Sequence, residues 1–271
     1  MKRLLFIMSL ISITFPSCEK WNESYYDGSR CCGAYLTVNF TQTVNGVELT
    51  TNNMIYTNEA GENYDVKTLK YIISNIMIHG LWNDNGSGDP HPLTFSKKIK
   101  DIHFIDISDE STFSFTVSTP GGRWTSISYT MGLDTGANKS DYIWGDHYGY
   151  YASMAWPDSL GGGYHYMKLE GSYNNNSTFY NTHTGGTMGG DYSFRHVDDL
   201  DIPRWQGDTT GHVSISINME INNWYDSPHQ IEFSSYGTGI MMDTTMQENI
   251  QQNGIADVFS VTGDPIWGWK N

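Results

Sequence analysis

The sequence predicts one all-β domain, an antiparallel β-sandwich with long glycine- and aromatic-rich loops and one short C-terminal helix. Three observations carry this. Several segments alternate apolar and polar residues with a period of two, as strands do when they bury one face. Gly, Pro and Asn punctuate those segments at short intervals, the pattern of a many-stranded sandwich. The composition agrees: 18 Tyr, 9 Trp and 28 Gly, with abundant Asn, Ser and Thr, favour strands and turns over helices.

Residues 1–17 read as a signal peptide. Lys2 and Arg3 form a positive start, and Leu4 to Phe15 is an apolar run too short to span a bilayer. Phe15-Pro-Ser-Cys18 resembles a lipoprotein signal-peptidase site, which makes Cys18 the first mature residue and the one that carries lipid. Residues 18–33 read as a tether, acidic at Glu19, Glu23 and Asp27, and residues 34–271 as the single β domain. Cys31 and Cys32 fall in the tether. A strained vicinal disulfide, an intermolecular bridge and a soft-metal thiolate pair are all open to them.

Leu36, Val38 and Phe40 mark a first strand over 34–40, and Asn45-Gly46 a tight turn after it. Leu69 to Ile78 is a nearly continuous apolar run, as in a strand covered on both faces. Residues 81–92 read as a loop in which Asp84 and Asp89 either hold a cation or are solvated turn residues, the commoner use of such positions. Short strands follow at 102–107 (His103, Ile105 and Ile107 on one face), at Phe113–Val117, and at 124–131 after Pro120-Gly-Gly122. A strand over 164–170 directs Tyr164, Tyr166, Lys168 and Glu170 one way and His165, Met167 and Leu169 the other. In 179–186, Phe179, Asn181 and His183 point together, and 187–210 is polar and reads as a loop. Val213 to Ile221 alternates most regularly of all. Thr245-Met-Gln-Glu248 is a capping-box pattern that opens a short helix ending at Asn253-Gly254, and 256–261 closes the domain as a strand.

Charge narrows the partners. Without Lys2 and Arg3, 13 of the 15 basic side chains remain against 30 acidic ones, a net charge of −17 (13 − 30). That excludes nucleic acid and an anionic membrane face as binding partners and suits a domain that attracts cations, held to a membrane through its N-terminal lipid only. No Gly-x-Ser-x-Gly elbow, His-Glu-x-x-His, phosphate loop or Cys-x-x-Cys is present, so the chain does not read as an enzyme.

The most informative stretch is Met154-Ala-Trp156-Pro-Asp-Ser-Leu-Gly-Gly-Gly163-Tyr-His165-Tyr-Met-Lys-Leu-Glu170-Gly171. Three successive glycines deliver Trp156 beside the strand that carries His165. This stretch resembles the signature of the MbnP-like copper-binding family, a Met-x-Trp segment running into Gly-Tyr-x-x-x-Lys-x-Glu-Gly. The resemblance extends over roughly residues 35 to 262 and takes in NFTQTVNGVELT (39–50), YTNEAGENYDVKTLKYIISNIMI (56–78), IHFIDI (102–107), WTSISYTMGLD (124–134), FYNTHTGG (179–186) and NGIADVFSV (253–261).

The resemblance implies a copper-binding lipoprotein of Bacteroidetes type, at the outer membrane and facing the periplasm or the cell surface, in copper acquisition or handling. It implies a TonB-type receptor and a dihaem peroxidase as partners. In some members a tryptophan is oxidised to kynurenine and joins histidines as a copper ligand. The best-known members have Trp-x-Trp before the signature strand and no histidine at the position of His165, whereas this chain has Trp156 alone, followed by Pro157 and Asp158. Oxidation of Trp156 and a direct histidine site with Trp156 as cover both remain open.

Copper favours imidazole nitrogen, with thioether as a softer ligand. Of nine histidines, His165 and His183 stand out, because each lies on a strand flanking a glycine-rich turn and neighbouring antiparallel strands bring such residues within reach of one ion. His183 also matches the His-x-Gly element of the family, and His103 matches its Tyr-His-Leu-Val-Asp strand as a third ligand. Met154 is a candidate soft ligand, and Asn181 or Asp158 candidate partners for the histidines' second nitrogens. The rival reading is a surface glycan-binding module that stacks sugars on loop Trp and Tyr rings.

Overall fold

The computed structural model describes residues 34–82, 93–119, 123–139, 152–202, 212–235 and 239–262. The signal peptide, the tether with Cys18, Cys31 and Cys32, the segment holding His91, Asp84 and Asp89, and the aromatic run around Trp144 and His147 lie outside them.

Thirteen strands are described: β1 (Ala34–Val44), β2 (Val47–Glu48), β3 (Tyr56–Thr57), β4 (Asn63–Tyr64), β5 (Thr68–Trp82), β6 (Leu93–Asp106), β7 (Ser114–Thr119), β8 (Arg123–Met131), β9 (His165–Tyr173), β10 (Thr178–Gly185), β11 (Phe194–Ile202), β12 (His212–Glu220) and β13 (Phe259–Thr262). They form two sheets. The smaller runs β13-β12-β1-β2 with β7 on β1; the larger runs β11-β8-β5-β9-β4-β3, with β10 on β9 and β6 on β5. Pairing is antiparallel except between β1 and β12, which lie parallel from Tyr35 opposite His212 to Thr43 opposite Glu220. Asn39 Nδ2 to Ser214 Oγ (2.8 Å) and Thr41 Oγ1 to Asn218 Oδ1 (2.9 Å) tie their side chains together.

The alternating segments bury the residues the pattern selects. Leu36, Val38 and Phe40 from β1 and Val213, Ile215, Ile217 and Met219 from β12 enter the core between the sheets. The Asn45-Gly46 turn closes the β1–β2 hairpin with both residues at positive φ, 52° and 74°. On β5, Ile73 faces the core between the sheets while Ile72 faces a second apolar cluster with Phe104, Leu133, Met154, Tyr164 and Tyr166. β5 is thus covered on both faces.

Four sequence readings change. β6 begins at Leu93 rather than 102: none of its residues before His103 is fully buried, and Lys97, Lys98 and Lys100 together with a register shift against β5 hide the strand period. Residues 194–202, read as loop, form β11 against β8. Its inward face carries His196 and Asp198, which meet each other at 3.2 Å, and Asp198 accepts the Tyr129 hydroxyl at 3.1 Å; this polar inner face concealed the alternation. Helix α1 (Thr244–Asn253) is capped by Asp243, which accepts the Met246 N–H at 2.9 Å, two residues before the Thr245 box. It buries Gln247, Ile250 and Asn253, so polar residues occupy much of its inner stripe. The last strand starts at Phe259, after a π-helical turn over 254–258.

Candidate metal centre

The centre sits on the outer face of the larger sheet, where β9 and β10 meet. In β10, Asn181 lies opposite Glu170 and His183 opposite Lys168, so these four residues share the outer face, while Met167 and Leu169 point into the core. Strict alternation would put His165 with Met167. It does not go there. The register steps from Thr184–Met167 to Gly185–His165, leaving Tyr166 as an extra residue on β9. This bulge turns His165 to the outer face, and its ring stands edge-on to that of His183, with centroids 4.9 Å apart and planes at 85°.

Trp156 arrives by a short hairpin. Its N–H donates to the Gly163 carbonyl (2.8 Å), Ala155 and Tyr164 form an antiparallel bridge, and the His165 N–H donates to the Met154 carbonyl (2.6 Å). The turn between is a 3-10 segment, Asp158–Leu160, followed by Gly161, Gly162 and Gly163, all at positive φ. At Gly163 a second constraint applies: a Cβ would strike the Asn138 side chain, whose Oδ1 accepts the Tyr164 N–H at 2.7 Å. The hairpin lays the Trp156 indole edge-on against His165, centroids 4.6 Å apart. The indole rests on Gly185, where a Cβ would come within 2.7 Å of Trp156 Cε3. Gly185 is therefore the floor under the tryptophan.

The hydrogen bonds fix both tautomers. His165 Nδ1 lies 3.1 Å from the Met154 carbonyl, which can only accept, so Nδ1 carries the proton and the lone pair is on Nε2. Among the described residues that buried Nε2 has no hydrogen-bond partner, as is also true of Trp156 Nε1. Burial, then the neighbouring His183, pushes the His165 pKa down to about 4, which keeps the ring neutral. His183 Nε2 lies 2.7 Å from Glu170 Oε1. The hydrogen bond with His183 holds the Glu170 carboxyl down at about 2, against the opposing effect of burial, so Glu170 is an anion and Nε2 is the donor. With Nε2 spent on Glu170, the nitrogen that His183 can offer a metal is Nδ1. Two imidazoles that offer different ring nitrogens thus stand side by side next to a buried indole, an arrangement suited to a soft or borderline metal ion.

Not every predicted residue joins them. His103 lies opposite Ile73 and points to the other face of the sheet, into the core. There it stacks on Phe40 (4.9 Å), tilts against Phe115 (5.0 Å) and donates from Nε2 to the Thr112 carbonyl (2.8 Å). The third-ligand assignment is corrected accordingly: the family-like strand is present, but its inward register gives His103 to packing. Met154 meets His165 through its carbonyl, and its side chain belongs to the outer apolar cluster. The partner of His183 is Glu170 and that of His165 is the Met154 carbonyl, in place of Asn181 and Asp158. Glu170 stands within the Lys-x-Glu-Gly element, but the alternation gives no sign of its diagonal reach to His183 from its place opposite Asn181. Among the described residues, no three His, Cys, Asp or Glu side chains converge as a metal cage.

A two-sheet β domain with a paired-histidine centre roofed by a hairpin tryptophan is the class of protein these observations define. Comparison with known proteins places it: the MbnP family model matches residues 33–243, and the chain belongs to the MbnP family. The solved structure of MbnP from Methylosinus trichosporium shares the fold, with a TM-score of 0.52 over 84% of this chain and 98% of that one at 11% identity. No curated protein sequence matches the chain.

Proposed function

We propose that this protein binds copper at the cell envelope, for acquisition or handling of the metal, and is not an enzyme. The observation that carries the reading is His165 Nε2: a buried lone pair with no hydrogen-bond partner among the described residues, on a ring 4.9 Å from a second imidazole. A buried polar atom without a partner costs about 1–3 kcal/mol, and a ligated ion removes that cost. His165 holds copper through Nε2 and His183 through Nδ1, while Glu170 and the Met154 carbonyl orient the two rings. Trp156 covers the ion or, once oxidised to kynurenine, ligates it; its place against His165 supports either role. A dihaem peroxidase fits as the oxidant and a TonB-type receptor as a partner in uptake.

Lipid on Cys18 would anchor the protein to the outer membrane, facing the periplasm or the cell surface. Cys18→Ser should release it from the membrane fraction; retention there would sink the anchor. The glycan-binding reading draws nothing from Trp156, which is 3% exposed and offers no face to a sugar.

The deciding experiment titrates copper under a competing chelator into wild type, His165→Ala and His183→Ala, with metal analysis of protein from copper-supplemented cells. Each substitution should lower affinity at least tenfold with folding retained. Equal affinity in all three proteins would remove this centre from consideration.

A further inference from the structure

Gln247 stands on α1, far along the chain from the histidines, and is fully buried. Its side-chain amide is spent entirely on main-chain groups. Nε2 donates to the His183 carbonyl (2.7 Å) and the Ile240 carbonyl (3.3 Å), and Oε1 accepts the Gly185 N–H (3.3 Å). His183 C=O and Gly185 N–H are two residues apart and project from the same edge of β10. Among the described residues, β10 pairs with β9 on its other edge only. The amide therefore does for this edge what one residue of a further strand would do: it satisfies one acceptor and one donor in ladder fashion.

The two groups it holds are the ones that matter to the centre. His183 carries a ring of the pair. Gly185 is the residue opposite His165 in the bulge and the floor beneath Trp156. A one-residue bulge is a local loss of ladder pairing, and the clamp restores pairing on the far side of the strand at that point.

We infer that Gln247 is a positioning residue for the centre: through the main chain of β10 it sets His183 and the bulge, and so the spacing of the two imidazoles. The inference rests on the copper reading for its functional meaning, but not for its structural content. Helix α1 supplies its own control. Asn253 is equally buried and also bonds only to main chain, donating to the Trp224 and His229 carbonyls (3.0 and 2.8 Å) and accepting the His229 N–H (2.9 Å), away from the centre.

The test compares Gln247→Met with Asn253→Leu in the full domain by two readouts. Copper affinity under a competing chelator should fall at least tenfold in Gln247→Met and stay within twofold of wild type in Asn253→Leu at a temperature where both are folded. In the metal-free protein, at a pH where the His183 ring is neutral, its nitrogen-15 NMR should show a single tautomer protonated at Nε2 in wild type and Asn253→Leu. Gln247→Met should show a mixture, because a displaced His183 lengthens its bond to Glu170. If Gln247→Met does not fold, Gln247→Glu keeps the acceptor for Gly185 and should show the same mixture in weaker form. Unchanged affinity and an unchanged ring in the folded variant would overturn the inference. A wild type that binds no copper would instead overturn the proposed function, and the ring spectrum alone would then decide whether Gln247 positions His183.

Discussion

Gly185 lies opposite His165, although Thr184 before it lies opposite Met167, and this one-residue offset brings His165 onto the face that carries His183. Everything proposed for the centre depends on that offset. Gly185→Ala tests it directly. The added methyl would sit 2.7 Å from Trp156 Cε3 and must displace the indole. Overpacking of this kind costs about 1–3 kcal/mol. Denaturant unfolding should show that loss, and tryptophan emission should shift to the red on Gly185→Ala in the wild-type background but not in a Trp156→Phe background, which isolates this ring among nine. Unchanged fluorescence would mean that the tryptophan does not rest on Gly185.

Glu170→Gln removes the anion but keeps the size of the side chain. Groups that orient a metal-bound histidine in this way typically contribute 10- to 100-fold in metal affinity. Chelator competition should show a loss in that range, and the unfolding midpoint at neutral pH should fall as well, because the folded protein favours the Glu170 anion that the substitution removes.

His103→Ala should do the reverse. It strips a ring stacked on Phe40 and leaves the Thr112 carbonyl without its Nε2–H donor. About 1–3 kcal/mol of stability should be lost, while copper affinity stays near wild type. An affinity loss as large as that of His183→Ala would return His103 to the ligand set.

Acid should weaken the fold in part through Asp106. Burial alone would raise its pKa, but Lys70 Nζ at 2.8 Å and the Ser108 hydroxyl and N–H at 2.7 and 2.9 Å outweigh burial and lower it. A carboxyl held below its ordinary value binds its proton later in the folded state than in the unfolded one. Its contribution is therefore complete above the ordinary aspartate range and is lost as pH falls from that range down through the lowered value of the folded protein. The urea midpoint should fall further between neutral and acid pH for wild type than for Lys70→Met, so that the two proteins converge in acid.

Much of the fold was legible because most core positions are apolar. The periods of β1 and β12 and the Asn45-Gly46 turn state their own geometry. Where buried faces are polar, the pattern fails. β11 turns His196 and Asp198 inward, so its face could not be read by hydrophobicity; on α1 the apolar Met246 and Ile250 mark the inner stripe, but the buried Gln247 and Asn253 beside them could not be read in this way. The parallel pairing of β1 with β12 leaves no mark either, since a strand's own pattern does not reveal its neighbour's direction. At the centre, the two histidines and Trp156 could be chosen from residue type and spacing. The bulge that lets the rings meet could not, because a register step is a property of two strands. Reading His103 as a ligand failed for a related reason: a motif gives a residue's place along a strand but not the face of the sheet it serves.

The position of β1 bears on how the domain carries load. The chain enters the described domain at Ala34, directly on a strand flanked by β7 on one side and β12 on the other. A pull on the residues before Ala34, whether from a lipid anchor or from any other attachment, runs along β1 and stresses both ladders in shear. Many hydrogen bonds must then yield together, whereas an edge strand would peel away one rung at a time. Ala34 thus opens a strand that both of its neighbours hold against such a load.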